Sequence, residues 1–219
     1  METMEGSKSA LSRTLVDELI PRRIGKGEQR KIDIAEAAIH LIATKGVEGT
    51  TFELIAKRCG ISRPLVVHYF PERLELFEFA VKIIRMQFQE LAVQAISRGR
   101  DAPGKLEAYV DSTFDWIERF PDHVRVWSVF FHYCAVHKKF RLINTELATI
   151  GHERIMALLE AGNKEKCFAA KGLPATAKAI QSVITGALVC LITEELPISH
   201  EILKLKTRAI CLGLAKGIT

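Results

Sequence analysis

Apolar residues return along this chain at intervals of three and four and almost never alternate with polar ones, so the pattern is helical throughout. The first firm helix spans about residues 28–44, with Ile34, Ala35, Ala38, Leu41 and Ile42 on one face. Lys45-Gly46 closes it with a basic last turn and a glycine just past the end. A short second helix starts at Thr50, where Thr50-Thr51-Phe52-Glu53 fits a capping box. Its inner face is Phe52, Ile55, Ala56 and Cys59. Gly60 stops that helix and Ser62 can cap a third. Pro64 then falls in a first turn, where backbone amides lack intrahelical partners in any case. Beyond Pro71 the spacing predicts longer helices over about 72–98, 103–119, 122–137, 139–162, 174–195 and 199–216. Gly99 and Pro103, Phe120-Pro121, Gly162-Asn163, Gly172 and Pro174, and Pro197 mark the breaks. The fold class is all-α.

Residues 1–27 read as a flexible basic arm: a polar tail with one apolar patch from Leu11 to Ile20, then Arg22, Arg23 and Lys26. Residues 28–75 form a three-helix helix-turn-helix domain, and 76–219 a larger helical domain. Charge supports this division. Between Ile20 and Phe70 nine Lys/Arg stand against five Asp/Glu, a local excess of four within a chain of net charge +5. Such a bias suits a polyanionic partner. The composition, 48% hydrophobic and 26% charged, is that of a soluble globular protein. The longest apolar stretch, Val183–Ile192, is about half of the roughly 20 residues a membrane span needs. With no apolar signal segment at the start, the expectation is a cytoplasmic protein without a membrane partner.

Phe52 to Phe70 is the most informative segment. Two short helices can cross closely only where the contact residue is small and the turn tolerates positive φ. Ala56 supplies the first and Gly60 the second. The third helix then turns outward Arg63, Pro64, Leu65, Val67 and His68, a face unlike an ordinary Glu/Lys-rich surface. Arg63 can pair with guanine, and apolar neighbours suit thymine methyls in a major groove. Tyr69 and Arg73 are placed for phosphates, which set register rather than sequence.

With these residues in view, positions 30–76 resemble the N-terminal domain of TetR-family repressors. The likeness rests on Gly46-Val47-Glu48-Gly49-Thr50-Thr51, Ile55-Ala56 with Cys59-Gly60-Ile61-Ser62, His68-Tyr69-Phe70, and Arg73 with Leu76. It implies phosphate contacts from Thr51, Tyr69 and Arg73, and base-facing positions at Arg63, Pro64 and Leu65, with His68 beside them. The Arg22-Arg23 arm is a further DNA-contact candidate. Val67 stands where the family commonly has Tyr, Arg73 replaces the usual Lys, and Pro71 replaces a commonly polar or basic residue. His68-Tyr69-Phe70 is similar to a subset that includes choline-responsive repressors.

The resemblance also implies that the C-terminal domain binds a small-molecule effector and forms a homodimer through its last two helices. The protein is then a repressor released from a roughly palindromic operator on double-stranded DNA. The candidate interface residues are Ile180, Ile184, Ala187 and Leu191 on one helix and Ile202, Leu205 and Ala209 on the other. Aromatics concentrate from Tyr109 to Phe140. Tyr109, Thr113, Phe114, Trp127, Phe130, Phe131 and Cys134 are the candidate pocket, suited to an uncharged or cationic ligand. His123, His132 and His137 lack metal-ligand spacing, and no nucleophile or phosphate-loop motif occurs. Neither a metal, a cofactor nor an enzymatic activity is expected. Five scattered cysteines without a C-x-x-C pair read as reduced thiols, with redox sensing by one of them as the alternative.

Overall fold

The computed structural model describes residues 25–218. Its elements are α1 (Lys26–Lys45), α2 (Phe52–Cys59), α3 (Arg63–Tyr69), α4 (Arg73–Arg98), α5 (Ala102–Arg119), α6 (Pro121–Val136), α7 (Lys138–Lys164), α8 (Leu173–Thr193) and α9 (His200–Ala215). No strand occurs among the described residues, so the fold is all-α. The chain divides into two compact units between Glu90 and Leu91, inside α4.

In the first unit α1 packs on α2 and α2 on α3. Ile34, Ala35 and Ala38 of α1 are fully buried, as are Val66 of α3 and, almost, Ile55 and Ala56 of α2. Ala56 lets the helices approach, and Gly60 makes the turn in the left-handed region, at φ 64° and ψ 34°. Its amide, and that of Ile61, return to carbonyls of the last turn of α2, so that helix end leaves few orphan acceptors. The first helix begins at Lys26, which places Lys26 and Gly27 in a helical turn rather than in a flexible arm. Arg22, Arg23 and the Leu11–Ile20 patch lie outside the described residues.

The second unit holds α5 to α9 around Leu106, Val110, Phe114, Ile155, Leu159, Ala177 and Ile180. The expected break at Gly162-Asn163 is not one, because α7 continues to Lys164. Gly162 is instead a seat: a Cβ there would lie 2.0 Å from the Phe168 ring. Asn163 then clamps the following loop, donating to Ala170 O at 2.9 Å and accepting from Ala170 N at 3.0 Å. Helix α8 is 21 residues long and carries one charged residue, Lys178, so by length and composition it could cross a membrane. The shorter apolar run read from the sequence missed this, because Ser, Thr, Gly and Ala fill the gaps between its larger residues.

Candidate nucleic-acid interface

The surface of α3 follows from how its neighbours are held. Thr51, not Thr50, is the N-cap of α2, its Oγ1 accepting from Leu54 N at 3.3 Å. That bond leaves the Thr51 hydroxyl proton free to be donated outward. Thr50 is buried instead and donates to Gly46 O at 2.8 Å, fixing the turn after α1. The expected capping box therefore does not form, since Glu53 is engaged elsewhere. Its carboxylate lies 2.5 Å from Arg63 Nε, both side chains being more than half exposed. Ser62 occupies the N-cap of α3 without a side-chain capping bond.

Arg63, Pro64 and His68 are exposed, while Leu65, Val67 and Tyr69 are half-buried. Arg63 stands at the first position of the helix, where a major-groove reader usually makes its base contacts. Arg73 lies across the turn before α2, its Nη2 3.3 Å from Thr50 O and 3.5 Å from Val47 O and Glu48 O. It therefore steadies that turn and brings its charge next to Thr51. At the other end of α3, Tyr69 Oη is 3.9 Å from where a Cβ on Gly27 would sit. The phenol thus neighbours the N-terminus of α1, whose first amides carry no side-chain cap. The two groups, Thr51 with Arg73 and Tyr69 with the start of α1, each offer donors suited to a phosphate.

In the second unit the candidate pocket residues separate into two sets. Tyr109, Thr113 and Phe114 are buried on α5, and Tyr109 and Phe114 belong to the central core. Trp127, Phe130 and Phe131 form an aromatic cluster on α6, with Trp127 edge-on to Trp116 at 5.9 Å and Phe130 completely buried. Cys134 joins it, donating to Phe140 O at 3.5 Å. The interface candidates also separate. Ile180, Ile184 and Ala187 are buried within the chain itself and Leu191 is half-buried, so these face inward rather than toward a partner. The outer face of α8 is Ser182, Thr185, Gly186 and Val189. Beside it α9 exposes Ile202, Leu205, Ala209 and Ile210, three of them large side chains that are 46 to 51% accessible.

Residues 34–80 match the family of bacterial regulatory proteins described as the tetR family. An HTH-type transcriptional regulator BetI from Proteus mirabilis is 28% identical over 161 residues, which cover 70% of this chain and 78% of that protein. A protein of the same name from Burkholderia ambifaria is 25% identical over 56% of this chain and 66% of its own length, just under two thirds. In fold, the chain is similar to a transcriptional regulator from Saccharomonospora viridis solved in complex with choline. That likeness has TM-score 0.76 at 18% identity, covering 83% of this chain and 95% of that one.

Residues 34–80 therefore carry a domain of the tetR-family type. The chain is thus similar to HTH-type transcriptional regulators over most of its length. Sequence reasoning missed several of its surface and interior residues. Glu53 was assigned to capping, and only its ten-residue spacing from Arg63 across a tight turn could have suggested the pair. Asp111 and Asp115 of α5 hold α9 through a two-pronged ion pair with Arg208 and a 3.3 Å contact with Lys204. Arg154 of α7, which escaped notice altogether, places its guanidinium carbon 5.9 Å from the Tyr109 ring centroid. Burial pushes the Tyr109 phenol above its ordinary value, and the adjacent Arg154 charge works against that shift. All five thiols are raised: burial pushes Cys211 up to about 12, and Glu194 raises Cys190 by accepting its hydrogen bond. Reactive thiolates are not favoured at neutral pH.

Proposed function

We propose that this regulator acts as a cytoplasmic homodimer that represses transcription from a roughly palindromic operator and is released by a small-molecule effector. The observation that carries this reading is the pairing of two uncovered surfaces: the donor-bearing face of α3 and the mostly apolar outer face of α8 and α9, on which Lys178 and Lys206 are the exposed cations. A second copy fits the latter, since two helices from each subunit make a four-helix bundle with two-fold symmetry. Gly186 faces out with nothing within 4 Å of the Cβ it lacks, so a partner helix can approach closely there. An apolar face rimmed by Ser and Thr suits this better than contact with lipid.

The two α3 helices then enter successive major grooves about 34–36 Å apart. Arg63 reads guanine, Pro64, Leu65 and His68 meet neighbouring base edges, and Thr51, Tyr69 and Arg73 hold phosphates. Helix α5 links effector to dimer: Tyr109 and Thr113 line one side, while Asp111 and Asp115 grip α9 on the other. A ligand that favours one setting of α5 favours one separation of the subunits, and hence one spacing of the readers. The choline complex of the S. viridis protein supports a small-molecule seat in this fold.

Selection of bound sequences from random DNA tests the reading. It should return an inverted repeat with half-sites one helical turn apart, bound with an affinity that falls steeply and log-linearly with salt. Binding that is indifferent to sequence and salt contradicts it.

A further inference from the structure

Arg154 of α7 is a cation without a recorded counter-charge among the described residues, and one of its nitrogens, Nη1, is buried without a hydrogen-bond partner. A guanidinium N–H taken out of water and left without an acceptor keeps its full desolvation cost, so a buried one calls for a partner. The Tyr109 hydroxyl oxygen accepts a hydrogen bond from the guanidinium, but none of the described residues supplies an acceptor to Nη1. The neighbours of Arg154 one turn away on α7 are Ile150, Gly151, Ala157 and Leu158, none of them charged. The carboxylates of Asp111 and Asp115 on the facing helix α5 are committed to Arg208 and Lys204.

The surroundings of Arg154 are polar at one point and apolar beyond it. Tyr109 of α5 lies beneath the guanidinium and is 7% exposed. Its phenol oxygen would be 3.3 Å from a Cβ on Gly151, so the small residue there lets it lie close to α7. Thr113, one turn further along α5, is buried and donates no recorded hydrogen bond. Gln181 of α8 closes the other side of Gly151 but is spent, donating to Ala148 O at 2.7 Å and accepting from Lys178 at 3.2 Å. Around these lie Val110, Phe114, Ile155 and Leu158 of the core.

We infer that Arg154 is the anion-recognising residue of the effector site, with the Tyr109 and Thr113 hydroxyls beside it, and that the effector is a monocarboxylate with an apolar body. This rests on the reading above that the helical C-terminal unit binds an effector. A carboxylate satisfies a guanidinium with charge-assisted hydrogen bonds, and the core residues around it suit an apolar tail. A quaternary ammonium at the same point would meet a like charge.

The test uses the full-length protein with sodium salts of unbranched acids from acetate to octanoate and phenylacetate. Each is compared with its own primary amide, and choline serves as the cation. Binding is followed by fluorescence of Trp116 and Trp127 and by thermal melting. At least one acid should bind more than tenfold tighter than its amide. Arg154→Met should erase that preference while the free protein still unfolds cooperatively on heating. Arg154→Lys should keep part of the preference. The inference is overturned if every acid binds no better than its amide, if Arg154→Met retains the preference, or if choline binds where no acid does. Release of operator DNA is scored separately. Release by an amide or choline but by no acid leaves the effector-release reading standing and defeats this one. Acid binding at Arg154 without release does the reverse.

Discussion

The α2–α3 pair and the α8–α9 pair are built alike and exposed differently. Each is two packed helices with buried aliphatics on one side, but the outer face is charged on α2–α3, where Glu53, Lys57, Arg58 and Arg63 are exposed, and mostly apolar on α8–α9. In α2–α3 the helices are 8 and 7 residues long, and the outer face carries isolated donors, Arg63 and His68, in a frame fixed by Thr51, Gly60 and Arg73. In α8–α9 they are 21 and 16 residues long, and the outer face carries area instead: Val189, Ile202, Leu205 and Ile210. A polyanion is recognised by few groups in exact places, so a short rigid unit suffices. A protein partner is recognised by buried apolar surface, which requires long helices. The two surfaces therefore differ in physics as they do in composition, charge on one and apolar area on the other.

It breaks most sharply at Leu205. The side chain is 49% accessible, so Leu205→Glu should leave the chain folded. In a two-fold interface the change buries two unpaired carboxylates, each costing roughly 3–5 kcal/mol by analogy with broken buried ion pairs. Sedimentation equilibrium should show the dimer weakened by at least about a hundredfold, with operator affinity falling in step. A dimer of unchanged strength would place the interface elsewhere. On the reading surface the largest expected loss is smaller. Arg63→Ala should cost about 1–3 kcal/mol of discrimination at one base pair and should leave the dimer intact. Competition binding with single-base variants of the operator measures it, and an equal loss for every variant would reduce Arg63 to a phosphate contact.

The legibility of these two regions in the sequence differs for a physical reason. The helix-turn-helix depends on local features, a small residue four positions before a glycine and short amphipathic runs, and these can be read by position alone. Even there the cap shifted by one residue, because the same Ser/Thr-x-x-Glu pattern begins at Thr50, while Glu53 turned to Arg63 across a turn no periodicity encodes. The long helices are legible as helices but not as faces. On α8 Lys178 is the one charged residue, so beyond its first turns spacing could not tell that Ile180, Ile184 and Ala187 go inward and Ser182, Gly186 and Val189 outward. Conspicuous aromatics such as Phe130 drew attention as a pocket, while Arg154 beside Glu153 reads as an ordinary solvated position. The available signal was that every residue one turn away from Arg154 on its helix is uncharged.

The smallest predicted effect separates two roles for the Glu53–Arg63 pair. Both side chains are 60 to 62% exposed, so the pair contributes at most about 1 kcal/mol to stability, and Glu53→Gln should leave thermal unfolding nearly unchanged. Its consequences for DNA have opposite signs in two measurements. Removing a carboxylate from a surface facing phosphates relieves repulsion, so affinity for unrelated DNA should rise modestly. Holding Arg63 by Nε leaves its terminal nitrogens to form the fork that guanine accepts, so losing the holder should reduce preference for guanine at that base pair. Glu53 is then a positioning residue, and specific and non-specific affinity should converge in the variant. If Glu53 merely competes with DNA for Arg63, both affinities rise together and the preference is kept or sharpened. Measuring binding to operator, single-base variant and random duplex at one salt concentration decides between them.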